Sequence, residues 1–204
     1  MTGNIAIVTD YVFRGVTQTG NNAAIQGGLD WDSGIGLHFG GWGSSLNFND
    51  ANKATTEIDL YGGYGGKIDN FSYDVGFTYY WYPGTASAAQ YDLWEVYGKA
   101  GYDLGIAAVT AGVAYTPDNF GGTGDAFYLN TVVNIPVVDK LSISLGAGHW
   151  MLTQGFKSQT DWNIGATMKV YDWFDIDARY YDSDVSFLGN LADDRFVAKI
   201  SRAF

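Results

Sequence analysis

The chain has 204 residues and a net charge of −11, which argues against a nucleic-acid partner because phosphate binding requires Lys and Arg side chains. It contains no Cys, so disulfides, thiolate metal sites and Cys nucleophiles are excluded. Glycine is frequent at 28 residues, but aromatic residues make up 17% of the chain, and this combination argues against disorder.

The sequence contains neither a membrane helix nor an export signal. No run of about 18 consecutive apolar residues exists, so no transmembrane helix is predicted. The opening residues, MTGNIAIV, lack the basic region and apolar stretch of a signal peptide. We expect Met1–Gly3 to be an added start, joined to the first residues of a mature chain.

A period of two, typical of β-strands, runs through almost the whole chain. In one clear example, Leu141, Ile143 and Leu145 alternate with Ser142 and Ser144. Most of the predicted strands are longer than the five or six residues usual in soluble proteins, and they match the roughly 9–11 residues of a transmembrane β-strand. The pattern predicts twelve strands, near residues 4–14, 23–32, 35–47, 55–67, 70–82, 91–103, 105–117, 125–135, 139–150, 160–170, 173–182 and 194–204.

The connections between these strands alternate in length. Short turns are predicted at 32–34, 67–70, 103–105, 137–139 and 170–174, and longer loops at 15–22, 48–54, 83–90, 118–124, 151–159 and 183–193. Such alternation with an even number of strands is typical of an outer-membrane barrel. The sequence therefore predicts an all-β fold: one transmembrane antiparallel up-and-down β-barrel domain over residues 1–204, with both termini periplasmic. A large soluble barrel or sandwich is the alternative.

The distribution of charged and aromatic residues favours lipid over water around this barrel. In the apolar register of the predicted strands, the only charged residue is Arg202, at the periplasmic end. The other charged residues of the strands must therefore face the interior. Tryptophan prefers the membrane–water boundary, and by parity Trp42 points inward instead. Tryptophans at strand ends predict two girdles, formed by Trp81, Trp94, Trp150 and Trp162 on the long-loop side and by Trp31 and Trp173 on the short-turn side.

The last predicted strand ends on an aromatic residue, Phe204, after the alternating stretch RFVAKISRAF. We expect Phe204 to close the aromatic girdle at the periplasmic boundary. A terminal aromatic residue on such a strand also resembles the signal that outer-membrane barrels present to their assembly machinery. The expected partners are therefore outer-membrane lipids and the barrel assembly machinery.

Three segments in the first part of the chain resemble the TorF family, whose members are porin-like proteobacterial outer-membrane proteins. The segments are DYVFRG (Asp10–Gly15), AIQGGLDW (Ala24–Trp31) and GWGSSLNF (Gly41–Phe48). The close match covers residues 4–48, and the rest of the chain matches mainly in its strand pattern. The resemblance implies a barrel and suggests a channel, but it supplies no established catalytic or ligand residues.

Parity assigns charged side chains of both signs to the interior. Such charges either brace the wall by pairing or set a field for permeating ions. The predicted lumen-lining residues are Asp10, Arg14, Asp30, His38, Glu57, Asp59, Asp74, Glu95, Lys99, Lys169, Asp175, Asp177, Arg179, Arg195 and Lys199.

Some interior pairs follow from the strand order. Across the turn at 170–174, Lys169 is expected opposite Asp175. Across the closing seam, Asp10 is expected to face Lys199 or Arg195. Arg14 would lie about 13 Å from Asp10 along a strand, too far to pair with it, so Arg14 also needs a partner on a neighbouring strand.

The predicted dimensions suit small solutes. Twelve strands give a backbone diameter of about 24 Å and a bore of about 10 Å at most. The long-loop side, counted as the predicted loops and the strand ends beside them, carries two basic residues, Lys53 and Lys157, against nine acidic ones, which predicts a weak cation preference. The acidic residues are Asp50, Asp92, Asp118, Asp125, Asp161, Asp182, Asp184, Asp193 and Asp194. The acidic segment 182–194 is either a solvated loop or a Ca²⁺ site, and no metal or cofactor is predicted.

No catalytic relay is visible, and no enzyme is predicted. His38 faces the interior by parity, and His149 lies on the lipid-facing register. An outer-membrane phospholipase would need a Ser beside such a His on the same face, but Ser142 and Ser144 point inward and Met151 stands two residues after His149. The sequence predicts a channel for passive diffusion of ions or small solutes; the alternative is a plugged barrel acting as a structural or loop-mediated binding protein.

Overall fold

The computed structural model describes residues 1–48, 50–52, 54–154, 156–171, 173–185 and 188–204. Twelve antiparallel strands close into a barrel, and the two remaining strands form a small separate sheet. The strands are β1 Thr2–Val8, β2 Val12–Phe13, β3 Val16–Thr17, β4 Ala24–Asp32, β5 Leu37–Ser45, β6 Thr56–Ile68, β7 Phe71–Trp81, β8 Leu93–Asp103, β9 Ala108–Thr116, β10 Ala126–Val138, β11 Leu141–Leu152, β12 Gln159–Val170, β13 Phe174–Ser183 and β14 Arg195–Ala203.

The barrel is an up-and-down barrel, which confirms the predicted fold class. Each barrel strand pairs with its neighbours in the chain, and β1 closes the ring by pairing with both β4 and β14. At the seam, Gly3 and Phe204 exchange two backbone hydrogen bonds of 2.8 and 2.9 Å. Two short 3₁₀ helices lie at Ser87–Ala89 and Gly189–Leu191. In the described part of the chain, no helix is long and apolar enough to cross a membrane.

The alternating sequence gives the barrel an apolar exterior. On β11, Leu145 points outward and is 40% exposed, whereas its neighbour Ser144 points inward and is 8% exposed. The exposed apolar side chains continue around the ring on other strands, and they include Ile5, Ile25, Leu60, Val75, Val96, Val113, Leu129, Ile164 and Ile200. A continuous apolar surface of this extent on a closed barrel is suited to a lipid environment.

The connections alternate in length as predicted. Short turns join β4 to β5, β6 to β7, β8 to β9, β10 to β11 and β12 to β13, and the longer connections lie at the opposite end of the barrel. Asp69 and Lys140 adopt left-handed backbone conformations in two of the short turns, with φ of 52° and 68°. Because the turns are tight, they fix the register that sends the apolar set outward.

The tryptophan girdles are reproduced with one correction. Trp31, Trp81, Trp94, Trp162 and Trp173 are exposed at strand ends. Trp42 points inward, as predicted, with its ring 5.4 Å from that of Tyr11. The assignment of Trp150 to the girdle is wrong, because its ring lies inside the barrel, 6.5 Å from Phe13. Even-numbered residues of β11 face inward, so parity itself places Trp150 there.

The largest departure from the predicted strands is at the beginning of the chain. The first strand was expected to reach residue 14, but β1 ends at Val8. Residues 10–19 instead leave the wall and fold into the barrel as a hairpin, here called the lumen hairpin, in which β2 pairs with β3. Within the hairpin, Thr17 and Thr19 donate side-chain hydrogen bonds to Asp10, so this segment satisfies its buried carboxylate locally.

Candidate functional site

The lumen hairpin crosses the interior of the barrel and contacts several walls. Near its base, Tyr11 donates a 3.1 Å hydrogen bond to Glu57 on β6. At its tip, Arg14 reaches Glu95 on β8, which lies on the far side from β1 in the strand order. The aromatic ring of Phe13 packs edge-on against Tyr80 on β7, at 6.0 Å. The hairpin is therefore a strap across the lumen rather than part of its wall.

Arg14 is held at the hairpin tip by charge and by aromatic rings. Its Nη2 lies 2.7 Å from Glu95 Oε2, and the two side chains are only 7% and 5% exposed. The guanidinium also lies over the rings of Phe13, Tyr128 and Trp150 at 4.3–4.8 Å from their centroids. Burying such a pair costs desolvation energy, which these hydrogen bonds and cation–π contacts offset. The expectation that Arg14 pairs with a neighbouring strand is wrong, because the hairpin carries it across the barrel.

A second ion pair anchors the hairpin base. Arg195 Nη1 on β14 lies 3.0 Å from Asp10 Oδ2, so Asp10 has one of its two predicted partners. Asp10 also accepts the Thr19 hydroxyl at 2.6 Å. Arg195 further contacts Asn21 just after the hairpin. The base is thus tied to the closing seam, whereas the tip is tied to the opposite wall.

Glycine is required at residue 15 for two reasons. Its φ of +81° is a conformation that L side chains rarely adopt. A Cβ at Gly15 would also lie 2.7 Å from the Ser183 Cβ on β13 and 2.8 Å from the Asp161 Cβ on β12. The turn of the hairpin therefore packs directly on the β12–β13 wall, with no space between them.

The hairpin separates two cavities. The loop-side cavity has a volume of about 290 Å³ and is lined mainly by aromatic and aliphatic side chains, among them Phe48, Tyr82, Leu93 and Phe120. The inner cavity has a volume of about 740 Å³ and a more polar lining. Both cavities touch four of the same side chains, Phe13, Arg14, Tyr80 and Glu95. These four residues, the boundary residues, stand between the two spaces.

Acidic groups outnumber basic groups around the inner cavity once the Arg14–Glu95 pair is set aside. Asp59, Asp74 and Asp161 line it together with Lys99 and His38. The His38 Nε2 lies 3.6 Å from Asp74 Oδ1, and Lys99 Nζ lies 4.5 Å from the centroid of the Tyr97 ring. Apart from the Arg14–Glu95 pair, the lining thus has three acidic side chains against two basic ones, with His38 counted as basic.

Aromatic side chains from three long loops cover the loop-side cavity. Phe48, Tyr82, Tyr91 and Phe120 pack together, and the rings of Tyr91 and Phe120 stack at 4.2 Å. Burial and a hydrogen bond to the Asp50 carboxylate raise the pKa of Tyr91. The loops are thus folded over the mouth and hold one another in place.

The remaining predicted interior residues form contacts along the wall. Asp30 accepts a hydrogen bond from Tyr61. Arg179 Nη2 lies 3.1 Å from Asp177 Oδ2 and also donates to Ser144. Three further pairs are directly opposite each other in the strand register: Lys169 with Asp175, Asp177 with Lys199, and Asp74 with Lys99.

Asp161, counted above among the acidic residues of the long-loop side, is a buried residue of β12 that accepts a 3.0 Å hydrogen bond from Tyr128. The sequence did contain a signal for this inward position, because Asp161 precedes the outward-facing Trp162 in the alternating register. Lys53, part of the predicted rim charge, lies outside the described residues. Within the described ranges, no three His, Cys, Asp or Glu side chains converge as metal ligands, at 182–194 or elsewhere.

The closed twelve-stranded barrel with an apolar exterior and a strapped polar lumen is a porin-like barrel of the outer-membrane type. The chain belongs to the Gcw_chp family, described as bacterial proteins of unknown function, whose model matches residues 1–204. No curated protein sequence matches the chain. The TorF resemblance is not settled by these matches.

Solved structures with a similar fold include porins of about the same size. The KdgM porin matches with a TM-score of 0.71 and 9% sequence identity, covering 100% of this chain and 99% of the KdgM chain. A second KdgM structure, in complex with disordered oligogalacturonate, matches with a TM-score of 0.70 and 8% identity over 100% and 99% of the two chains. The NanC porin matches with a TM-score of 0.69 and 8% identity over 98% of each chain. At such identities the likeness establishes the fold alone.

Proposed function

We propose that this protein is a narrow outer-membrane channel for passive diffusion of ions and small solutes, with the lumen hairpin as its constriction. One observation carries the proposal: cavities lie on both sides of the boundary residues inside a closed barrel. A barrel that served only as a scaffold would have no need of a large polar cavity continuing to the constriction. The passage would be completed by a small shift of the Arg14 side chain or of the hairpin tip.

The charges of the inner cavity support a weak preference for cations. Apart from the Arg14–Glu95 pair, Asp59, Asp74 and Asp161 line the cavity with Lys99 and His38, and an excess of negative charge concentrates cations. KdgM, of similar fold, is recorded in complex with an oligogalacturonate. The acidic inner cavity described here is poorly suited to a polyanion of that kind. The similar fold therefore does not imply the same solute.

The exterior supports a location in the bacterial outer membrane. An apolar belt flanked by exposed tryptophans matches a bilayer in contact with the barrel wall. In this proposal the short turns and both termini face the periplasm, outer-membrane lipids contact the belt, and the assembly machinery recognises the end of β14 at Phe204. We propose no enzymatic role; His149, on the outer face of the barrel, lies 3.0 Å from the Thr160 hydroxyl.

A second candidate function is favoured by the same hairpin. Because the strap is tied at its base to Arg195 and at its tip to Glu95, the barrel is a plugged scaffold if neither tie opens. The folded aromatic loops would then be the functional part, as a surface that binds a partner outside the cell.

Planar-bilayer recording of the refolded protein separates the two candidates. The channel predicts stable current steps in KCl, small in size because the constriction is narrow. Refolding must be verified by a β-sheet circular dichroism spectrum and by a heat-dependent change in gel mobility. A folded protein that conducts no current, including after Arg14→Ala, would reject the channel and leave the plugged barrel.

A further inference from the structure

One carboxylate of the inner cavity lies between two aromatic side chains. In the strand register, Asp59 on β6 is directly opposite Trp42 on β5 and directly opposite Tyr80 on β7. Directly opposite residues of antiparallel strands share a face, with Cβ atoms about 5 Å apart. All three side chains line the inner cavity, as do Tyr11 and Tyr61. The carboxylate is thus set in an aromatic recess open to the lumen.

One oxygen of the Asp59 carboxylate is buried without a hydrogen bond from the described residues. Among the described residues, the buried Oδ1 atom of Asp59 has no hydrogen-bond partner. Its neighbour Glu57 is 2% exposed, and its Oε2 likewise has none, although Oε1 accepts the Tyr11 hydroxyl at 3.1 Å. Glu57 and Asp59 are two residues apart on β6, so their side chains lie on the same face of the wall. Two neighbouring carboxylates with buried oxygens require a positive charge or a proton to offset their repulsion.

The cations of the chain that lie nearest this recess are committed elsewhere. Arg14 is paired with Glu95 at 2.7 Å, and Arg195 is paired with Asp10 at 3.0 Å. Lys99 is directly opposite Asp74 in the register, and its Nζ lies over the Tyr97 ring. No cation of the described residues is thus shown paired with Asp59 or Glu57, so their repulsion is offset either by a proton or by a cation from outside the chain.

We propose that Asp59, flanked by Trp42 and Tyr80, binds the ammonium group of a small alkylamine in the inner cavity. An ammonium in the cavity supplies N–H donors to the Asp59 carboxylate, and its positive charge offsets the acidic pair and is attracted to the neighbouring aromatic rings. The inner cavity, at about 740 Å³, has room for the alkyl portion. This inference rests on the proposed function in that it names the class of solute, but the binding is measurable without transport.

Isothermal titration of the refolded protein in detergent with n-butylammonium and with n-butanol tests the site. The two probes have the same chain length, and the amine is fully charged at pH 7.5 because alkylammonium groups titrate near 10.4. We expect n-butylammonium to bind at least tenfold more tightly than n-butanol. Asp59→Asn should weaken amine binding at least tenfold, whereas Asp175→Asn, the same change elsewhere on the wall, should leave it unchanged.

Trp42→Leu is the second variant, since it keeps both carboxylates and should weaken amine binding severalfold by removing one ring. Equal binding of the two probes, or full amine binding by a folded Asp59→Asn variant, would overturn the proposal and indicate that Glu57 and Asp59 share a proton instead. Bilayer currents without amine binding would overturn this site and leave the channel standing. Amine binding without currents would support the site and point to a plugged barrel.

Discussion

Arg14, at the tip of the lumen hairpin, donates hydrogen bonds of 2.7 and 2.8 Å to both carboxylate oxygens of Glu95 on the far wall of the barrel. This two-point contact spans the lumen and is almost fully buried. Because it lies between the two cavities, it couples the stability of the hairpin to the width of the passage. The pair is the natural first target for mutation.

Arg14→Ala should increase the single-channel conductance and destabilise the protein. Removing one partner of a buried ion pair costs about 3 kcal/mol, since the remaining Glu95 carboxylate stays buried without its counter-charge. Arg14→Ala combined with Glu95→Gln should recover part of that loss in urea unfolding, because the unpaired charge is gone. Lys169→Gln, near the short-turn end, is the control. Unchanged conductance of the folded Arg14→Ala variant would show that the hairpin is not the constriction.

Gly15→Ala should displace the hairpin, and Gly20→Ala separates the causes. Both glycines have positive φ, 81° and 58°, so both substitutions carry a backbone penalty of about 1 kcal/mol. Only Gly15 lies against the wall, with Ser183 and Asp161 within 2.8 Å of its added Cβ, whereas the nearest atom at Gly20 would be 3.4 Å away. Urea unfolding should therefore rank Gly15→Ala clearly below Gly20→Ala in stability. Equal losses of stability in the two variants would mean that the β12–β13 wall accommodates the added Cβ without a free-energy penalty.

Leu145→Lys should cost about 2–4 kcal/mol in refolding titrations in lipid, since it places a charge on the lipid face near mid-membrane. Asn134→Lys on the adjacent strand β10 is the matched control. Asn134 is directly opposite Ser144, alternates with the outward residues and is exposed. Ser144→Lys is unsuitable as a control because Arg179 donates to the Ser144 hydroxyl at 2.7 Å. A larger cost for Asn134→Lys would reverse the assigned faces.

The sequence alone was sufficient for the barrel but not for the hairpin, for a physical reason. Strand number and facing follow from local alternation, as in Leu145 and Ser144, because each residue contributes independently to the pattern. The lumen hairpin depends on contacts distant in sequence, such as Arg14 with Glu95 and Gly15 with Ser183. Its residues alternate well enough to extend β1, so the local pattern favours a longer strand.

Parity placed many charged side chains on the interior face, but it could not specify their partners where the hairpin intervenes. Register arguments put Lys169 opposite Asp175, a contact across a single turn. The recess around Asp59 needs three strands in register and the hairpin beside them, with Trp42 and Tyr80 flanking the carboxylate. Such a site becomes visible only when the ring is closed.

Phe204→Ala should impair assembly in cells more than refolding in detergent. The Phe204 ring is 70% exposed, so its loss removes little packing, and the substitution preserves the backbone hydrogen bonds to Gly3. Phe196→Ala on the same strand, also strongly exposed, is the control. Outer-membrane levels in cells and refolding yields in detergent are the two measurements. Normal cellular levels of the Phe204→Ala variant would argue against recognition of the terminal residue.

The ion preference of the open channel should depend on salt concentration. Acidic long loops concentrate cations at the mouth, and that potential is screened over about 8 Å at physiological salt. Reversal potentials across a KCl gradient should therefore indicate a modest preference for K⁺ at low salt that declines in molar salt.

A residual preference should remain at high salt if the inner cavity contributes. Asp74 lies within that cavity, where groups in a narrow lumen are screened less than those on the rim. Asp74→Asn should therefore lower the K⁺ preference in molar KCl, whereas Asp194→Asn, in the exposed loop before β14, should lower it only in dilute KCl. A preference for Cl⁻ at low salt would mean that Arg14, Lys99 and Arg179 govern permeation rather than the carboxylates.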